Sequence, residues 1–462
     1  MGALAQTGWY RGKKSSQYNQ HCIGTTFFVC GRPTTKTARE KKTMDLIEDL
    51  QWRGAINQQT DAEGLKAEIA KHPVSIYVGT DPTGDSLHVG HLIPFMMLKR
   101  FQEAGHHPVM LIGGGTGSIG DPSGRNSERV LQSMDQVRAN QEKLTAQLVK
   151  LFGTEDFQVV NNYDWLSKIS ILDFLRDYGK LFSINNMLNK EVVASRLETG
   201  ISFTEFTYQI LQSVDFLHLY KHNDVQVQMG GADQWGNITA GVDLIHRVEG
   251  PEAKVFGLTI PLMLKADGTK FGKSAGGAVW LDPKKTTPYE FYQFWLNQDD
   301  RDVVKYLKYF TFLSHERIDE LAQAVQEAPE KREAQRTLAQ EVTKFVHGAA
   351  AVTTAEKISQ ALFSGDLREL TADEITQGFK DVPSVDVPAG QTNIVEFLVD
   401  LTHIEPSRRQ AREDVKNGAI YVNGERQQSL DFTVDTEAAF SGHFVIIRKG
   451  KKKYTLVKVQ EA

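Results

Sequence analysis

Through the first half of this chain, short apolar strand patterns alternate with helical ones, and each unusual motif falls just past a strand. Residues 74–79 read as a buried strand and run into the turn signals Asp81, Pro82, Gly84 and Asp85. Residues 89–104 read as a helix ended at Gly105, residues 108–112 as a second apolar strand, and residues 128–152 as a long helix. Residues 225–229 alternate and stop at Gly230 and Gly231, a helix follows from about Asp233, and residues 255–264 give a further strand. This order predicts the α/β class: a Rossmann-like, doubly wound parallel sheet whose ligands sit beyond the carboxyl ends of its strands.

The rest divides more coarsely. Residues 44–282 are expected to hold the sheet. Residues 283–380 read as a helical domain, residues 381–392 as a linker rich in Pro, Val and Asp, and residues 393–462 as a small α+β domain. Residues 1–43 match none of these patterns. They carry eight Lys/Arg (Arg11, Lys13, Lys14, Arg32, Lys36, Arg39, Lys41, Lys42) against the single acid Glu40. A targeting signal is one reading; its apolar run is broken by Gly24, Thr25 and Thr26. The preferred reading is a start assigned too far upstream, with Met44 heading the first helix. The two cysteines, Cys22 and Cys30, both lie in this segment, so disulfides and cysteine-based zinc sites are excluded from residue 44 onward. That fits a cytoplasmic protein. No run of eighteen apolar residues exists, which excludes a membrane-spanning helix on length. The net charge of −5 becomes −12 once the basic segment is set aside, so any RNA contact must come from local basic patches, and DNA is not an expected partner.

Two motifs suggest phosphate chemistry. His88-Val89-Gly90-His91 follows the first strand and opens a helix, with both imidazoles on one face. Gly90 would let a flat ring lie against the backbone, and the helix start offers free N–H groups and a positive dipole. Two buried core histidines are an equal alternative for this motif alone. A metal site is not expected, because no third ligand accompanies the pair. Lys270-Phe271-Gly272-Lys273-Ser274 follows the strand at 255–264, between Gly268 and Gly276. Two lysines in a glycine-framed loop suit the charge that develops on a departing pyrophosphate; a solvated basic loop is the plainer alternative. Together, in order and setting, the two motifs resemble the HIGH and KMSKS signatures of class I aminoacyl-tRNA synthetases.

Gly115, Gly117 and Gly120 match the dinucleotide-binding G-x-G-x-x-G spacing. The proline at 122 denies the helix that such a motif needs. Residues 113–125 instead resemble a loop of the tyrosyl branch of the synthetases. Tyr208, Gln212 and Asp215 stand at i, i+4 and i+7, a polar stripe on an otherwise apolar helix. With Gln228 and the run Gly231-Ala232-Asp233-Gln234, the stripe resembles the tyrosine pocket of bacterial-type tyrosyl-tRNA synthetases. The resemblance covers about residue 44 to the C-terminus.

The resemblance implies roles residue by residue. Asp215 and Tyr77 would bind the phenolic hydroxyl of L-tyrosine, and Asp121, Tyr208 and Gln212 the ammonium. Gly79, Asp81 and Gln228 would complete the amino-acid site. Gly90, Gly231, Asp233, Gln234 and Ser274 would serve ATP. His88, His91, Lys270, Lys273 and Thr83 would act on the phosphates, with Arg125 and Arg129 as secondary candidates. Mg²⁺ would accompany ATP rather than occupy a protein cage. The activity implied is formation of tyrosyl-adenylate and transfer of the acyl group to tRNA(Tyr), by a homodimer. The tryptophanyl branch is the nearest rival, and a non-catalytic RNA-binding relative the more distant one. In the last domain, Arg408, Arg409, Arg412 and Lys416 fall on one predicted helix, with a second cluster at residues 448–453. The domain is nearly neutral overall, so this clustering, together with a resemblance to a small RNA-binding domain of synthetases and a ribosomal protein, is what argues for RNA.

Overall fold

β1 (Gln58–Gln59), β2 (Ser75–Thr80), β3 (His107–Ile112), β4 (Gln158–Asn161), β5 (Val225–Gly231) and β6 (Phe256–Ile260) form one sheet in the order β1-β6-β5-β2-β3-β4. The computed structural model describes residues 45–123, 132–194, 196–197, 200–274, 277–380, 382–438, 440–450 and 453–460. The N-terminal segment 1–43, with both its readings, lies outside them. β2 to β6 run parallel, and β1 caps the β6 edge antiparallel. The central strands are covered on both faces, which is why Ile76, Tyr77 and Val78 are all buried in succession. From β2 the chain winds outward through β3 and β4, then returns to β5 on the other side. β2 and β5 therefore flank the switch point, where such a sheet opens a crevice at its carboxyl edge.

The helix after β2 starts later than its sequence pattern suggests, at Leu92–Glu103. Residues 88–91 are held in a turn closed by the His91 N–H donating to the His88 carbonyl at 2.8 Å. Pro94 is accommodated because it falls in the first helical turn. The long helix runs over Met134–Phe152, capped by the Ser133 hydroxyl, which accepts from the Gln136 N–H.

The helical part comprises Pro288–Leu296, Asp300–Phe310, His315–Glu327, Glu333–His347 and Ala349–Ser364. It shares one hydrophobic core with the sheet: Phe95, Leu98 and Phe101 join Phe291, Trp295, Tyr306, Phe310 and Leu338. Two buried arginines from the sheet side finish the seam. Arg53 and Arg100 donate to the carbonyls of Lys308 and Thr311, and Arg53 also reaches that of Leu313 at 3.0 Å. They satisfy the open carbonyl end of the Asp300–Phe310 helix and complement its dipole.

The expected linker at 381–392 is corrected by the structure. Ser384–Pro388 is a strand parallel to Lys453–Gln460, and Gln391–Asn393 pairs with Thr433–Asp435. The first forms the edge of a five-stranded sheet, where prolines are tolerated, so Pro383 and Pro388 do not exclude pairing. Among the described residues no helix is long and apolar enough to cross a membrane.

Candidate active site

A cavity of about 290 Å³ opens at the carboxyl ends of β2 and β5. β2 contributes Tyr77 and Gly79, and the turn after it Asp81 and Thr83. The Phe203–Asn223 helix contributes Tyr208, Gln212 and Asp215, and β5 with its following turn Gln228, Gly231, Asp233 and Gln234. Asp121 and His91 complete the set of sequence-predicted residues that line it. Tyr77 and Gln228 are register partners on β2 and β5, so their side chains leave the sheet together.

At the floor, Asp215 is 1% exposed and Tyr77 2%. The Asp215 carboxylate accepts from Trp165 Nε1 at 2.8 Å and from Asn162 Nδ2 at 2.9 Å. Burial raises its pKa to about 7 against the pull of those two donors. The Tyr77 hydroxyl is buried without a hydrogen-bond partner among the described residues; burial first, then the charge of Asp215, holds its pKa well above the usual phenol range. An unpaired buried hydroxyl is costly, and one placed near a carboxylate invites a second hydroxyl between them.

Asn162 links this floor to the upper wall. Its amide also donates to Thr116 Oγ1 at 2.9 Å, Thr116 donates to Asp81 at 2.8 Å, and the Tyr208 hydroxyl donates to Asp81 at 3.0 Å. Gln234 donates to Asp121 at 2.7 Å, and Gln212 to Gln234 at 3.2 Å. Tyr208 thus bonds Asp81 here, while Asp121 is approached by Gln234; both carboxylates line the same cavity. Burial, then Asp121, raises the Asp233 pKa. Four carboxylates around one small space favour a cation.

Asn162 and Trp165, which hold the Asp215 carboxylate, are residues that sequence reasoning missed. They stand 53 and 50 positions from Asp215, on the short helix Tyr163–Leu166 and its N-cap after β4, with no periodic signal. Residues 115–120 form only a single 3-10 turn, Thr116–Ser118, as the proline at 122 implies.

Beside the cavity mouth the histidine turn has a defined tautomer. The Gly90 N–H donates to His88 Nδ1 and the His88 N–H to His91 Nδ1, each at 3.1 Å. A backbone N–H can only donate, so the proton of each ring sits on Nε2. Burial, then His88, lowers the His91 pKa to about 3, so it acts as a neutral donor. The ring that lies against Gly90 in this structure is that of His88: a Cβ at Gly90 would stand 2.8 Å from His88 Cε1.

The lysine loop is tied to this turn. Val89 N–H donates to the Val279 carbonyl at 2.9 Å, and Leu281 N–H to that of Leu87 at 2.8 Å. Lys273–Ser274 pairs with Gly277–Ala278. Gly272, at φ +99°, backs onto Gly90, where a Cβ would meet Gly90 N at 3.4 Å. Between the lysines, Phe271 is buried among Phe294, Trp295, Tyr306 and Phe310. Lys270 is exposed and close enough to Asp233 to oppose the rise in its pKa. Of Lys273 and Ser274 only the backbone is described; Arg125 and Arg129 lie outside the described residues.

In the terminal domain the Arg408–Lys416 helix leaves Arg409, Arg412 and Lys416 exposed. Arg408 is exposed too, but its guanidinium is paired with Asp400. Arg448 lies 3.9 Å over the Tyr421 ring, a contact not anticipated from the sequence.

The chain matches the family model for class I tRNA synthetases (W and Y) over residues 69–364, and that for the SYY-like C-terminal domain of tyrosine–tRNA ligases over residues 374–457. A tyrosine–tRNA ligase of Limosilactobacillus reuteri is 72% identical over 417 residues, covering 90% of this chain and 100% of the relative. That of Pediococcus pentosaceus is 70% identical over the same length and shares. Among solved structures, a C-terminally truncated mitochondrial tyrosyl-tRNA synthetase from Aspergillus nidulans superposes with a TM-score of 0.64 at 33% identity, covering 70% of this chain and 96% of that one.

Proposed function

The chain belongs to the tyrosine–tRNA ligase family of class I synthetases, and from that premise we propose which residues perform each part of the reaction. The family's reaction joins tyrosine to the AMP part of ATP, releasing pyrophosphate, and then to tRNA. The observation that carries the residue assignment is the Tyr77 hydroxyl, buried beside Asp215 without a partner. A substrate phenol fits between them, donating to Asp215 and accepting from Tyr77. Its ammonium then lies toward Asp81, Asp121, Tyr208 and Gln212, and its carboxylate toward the cavity mouth, beside the histidine turn.

In the first step a tyrosine carboxylate oxygen attacks the α-phosphorus of ATP, and the bond to the bridging oxygen of the β-phosphate breaks. The products are tyrosyl-adenylate and pyrophosphate. No protein nucleophile is needed, because the attacking carboxylate is already ionised; positioning and charge stabilisation suffice. His88 and His91 offer Nε2–H groups to phosphate oxygens, and neither is a base. Lys270, Lys273 and Thr83 receive the charge of the leaving pyrophosphate; Gly90, Gly231, Asp233, Gln234 and Ser274 frame the nucleotide. ATP enters as its magnesium complex, the phosphates supplying the oxygen ligands that this ion prefers. In the second step a hydroxyl of the tRNA 3′-terminal ribose attacks the acyl carbon, and AMP leaves. Arg409, Arg412 and Lys416 are assigned to the RNA backbone, on the strength of their shared exposed face. The cysteine-free body supports a cytoplasmic setting.

Exchange of labelled pyrophosphate into ATP tests the reading. It should require tyrosine; exchange sustained by tryptophan, or without amino acid, would overturn it.

A homodimer is proposed from the apolar surface between β4 and β5. Ile171, Leu172, Leu175, Ile184, Leu197 and Phe203 are each at least half exposed, Phe203 at 74%. So much exposed apolar surface in one segment marks an interaction face. Phe203→Asp should shift the protein toward monomer in sedimentation velocity; an unaltered dimer would remove Phe203 from the interface.

A further inference from the structure

Trp165 places its indole N–H on Asp215 and is itself only partly buried at the edge of the core. On the side away from the substrate cavity, Trp165, Ile169, His218 and His222 line a second cavity of about 340 Å³. What the indole does meet there is a ring. His218, one turn after Asp215 on the Phe203–Asn223 helix, stacks on Trp165 with centroids 4.2 Å apart and planes 13° from parallel. His222 stacks on His218 in turn, at 4.2 Å and 22°. His222 is itself fixed: its Nδ1 donates to the His218 carbonyl at 2.9 Å, one turn back on the same helix.

The three rings make a column that begins at the Asp215 carboxylate and ends at the exposed His222. Spacing of i and i+4 on one helix makes the histidine pair self-supporting. Burial first, then the neighbouring His222, lowers the His218 pKa to about 4, so at neutral pH the ring that meets the indole is neutral.

We propose that His218 is a positioning residue for tyrosine recognition: by stacking on Trp165 it fixes the indole whose N–H orients the Asp215 carboxylate toward the substrate phenol. The proposal rests on the tyrosine reading of the cavity. Among the described residues Asp215 has two donors, and both come from the short helix Tyr163–Leu166 and its N-cap after β4. If the indole swings toward the second cavity, Asn162 alone orients the carboxylate. His218 touches neither tyrosine nor ATP in this scheme, so its effect belongs to tyrosine affinity and to the choice between tyrosine and phenylalanine. The adenylation step itself is untouched.

The test compares His218→Ala, His218→Phe and Trp165→Phe in pyrophosphate exchange, with tyrosine and ATP varied separately. His218→Ala should raise the KM for tyrosine about three- to ten-fold, the size of one aromatic contact, and leave kcat and the KM for ATP unchanged. His218→Phe restores a flat neutral ring and should return the KM for tyrosine to the wild-type value. In ¹⁵N-tryptophan-labelled protein, the Trp165 indole N–H resonance, assigned by its loss in Trp165→Phe, should move in the alanine variant and return in the phenylalanine variant. A tyrosine KM that rises in Trp165→Phe but not in His218→Ala would overturn the column while sparing the pocket. Unchanged tyrosine binding in Trp165→Phe would overturn both. An equal rise in His218→Ala and His218→Phe would show that stacking is not what His218 supplies.

Discussion

An Asp215→Ala enzyme is expected to lose most of its preference for tyrosine over phenylalanine. Asp215 is the buried acceptor in the cavity, close to a Tyr77 hydroxyl that has no hydrogen-bond partner among the described residues. Hydrogen bonds to charged groups are worth more than neutral ones, so tyrosine should lose roughly ten- to a hundred-fold in kcat/KM. Phenylalanine should gain, because in the wild-type site its bare ring takes the place of a hydroxyl that would donate to the buried carboxylate, leaving that acceptor under-satisfied, and the variant has no such acceptor. The ratio therefore narrows from both sides. A variant that still rejects phenylalanine would overturn the pocket assignment.

The same residue makes tyrosine binding depend on pH. Burial raises the Asp215 pKa from an ordinary 3.8 to about 7 in the free protein. A phenol donates best to the ionised form, so binding tyrosine lowers that pKa and releases a proton. Tyrosine affinity should thus weaken as pH falls through about 7, and the dependence should vanish in Asp215→Ala. The contribution to stability has the opposite sense. Between 3.8 and about 7 the folded protein holds more protons at this site than the unfolded chain, so its contribution declines as pH rises through that window. Calorimetric titration in buffers of different ionisation enthalpy measures the released proton; a heat that does not depend on the buffer would contradict it.

How much of this was legible in the sequence follows from which signals are periodic. The sheet was legible because β2 and β3 read as apolar runs and β5 as an alternating one, each ending in turn residues. Tyr208, Gln212 and Asp215 were legible because a helix turns a spacing of three and four into a shared face. Asn162 and Trp165 carry no period: their helix is only four residues long, and only the fold brings them to Asp215. Arg100 is opaque for another reason. A lone arginine in an apolar helix reads as a surface residue, and its role in closing the end of a helix two hundred positions away is visible only in three dimensions. Residues 384–388 did carry the alternating Val385-Asp386-Val387 pattern of a strand, but the flanking prolines outweighed it. At a sheet edge they need not have.

Lys273→Ala should separate chemistry from binding. Phe271 anchors the loop in the aromatic core, Gly272 backs onto the histidine turn, and the Lys273 backbone is paired with Ala278. Removing one ammonium leaves that frame in place, so the change acts on charge alone. The ammonium is assigned to pyrophosphate as it departs, which makes its contribution larger in the transition state than in the complex with tyrosine. Adenylate formation in a single turnover should slow about 10²–10³-fold, the cost of removing one preorganised group from developing charge. The dissociation constant for tyrosine should stay within about two-fold, because an interaction made only in the transition state appears in kcat and not in ground-state affinity. An unchanged pyrophosphate-exchange rate would refute the assignment. A loss confined to tyrosine affinity would place Lys273 on the amino acid instead, and the four carboxylates of the cavity would then face a second cation besides the substrate's own.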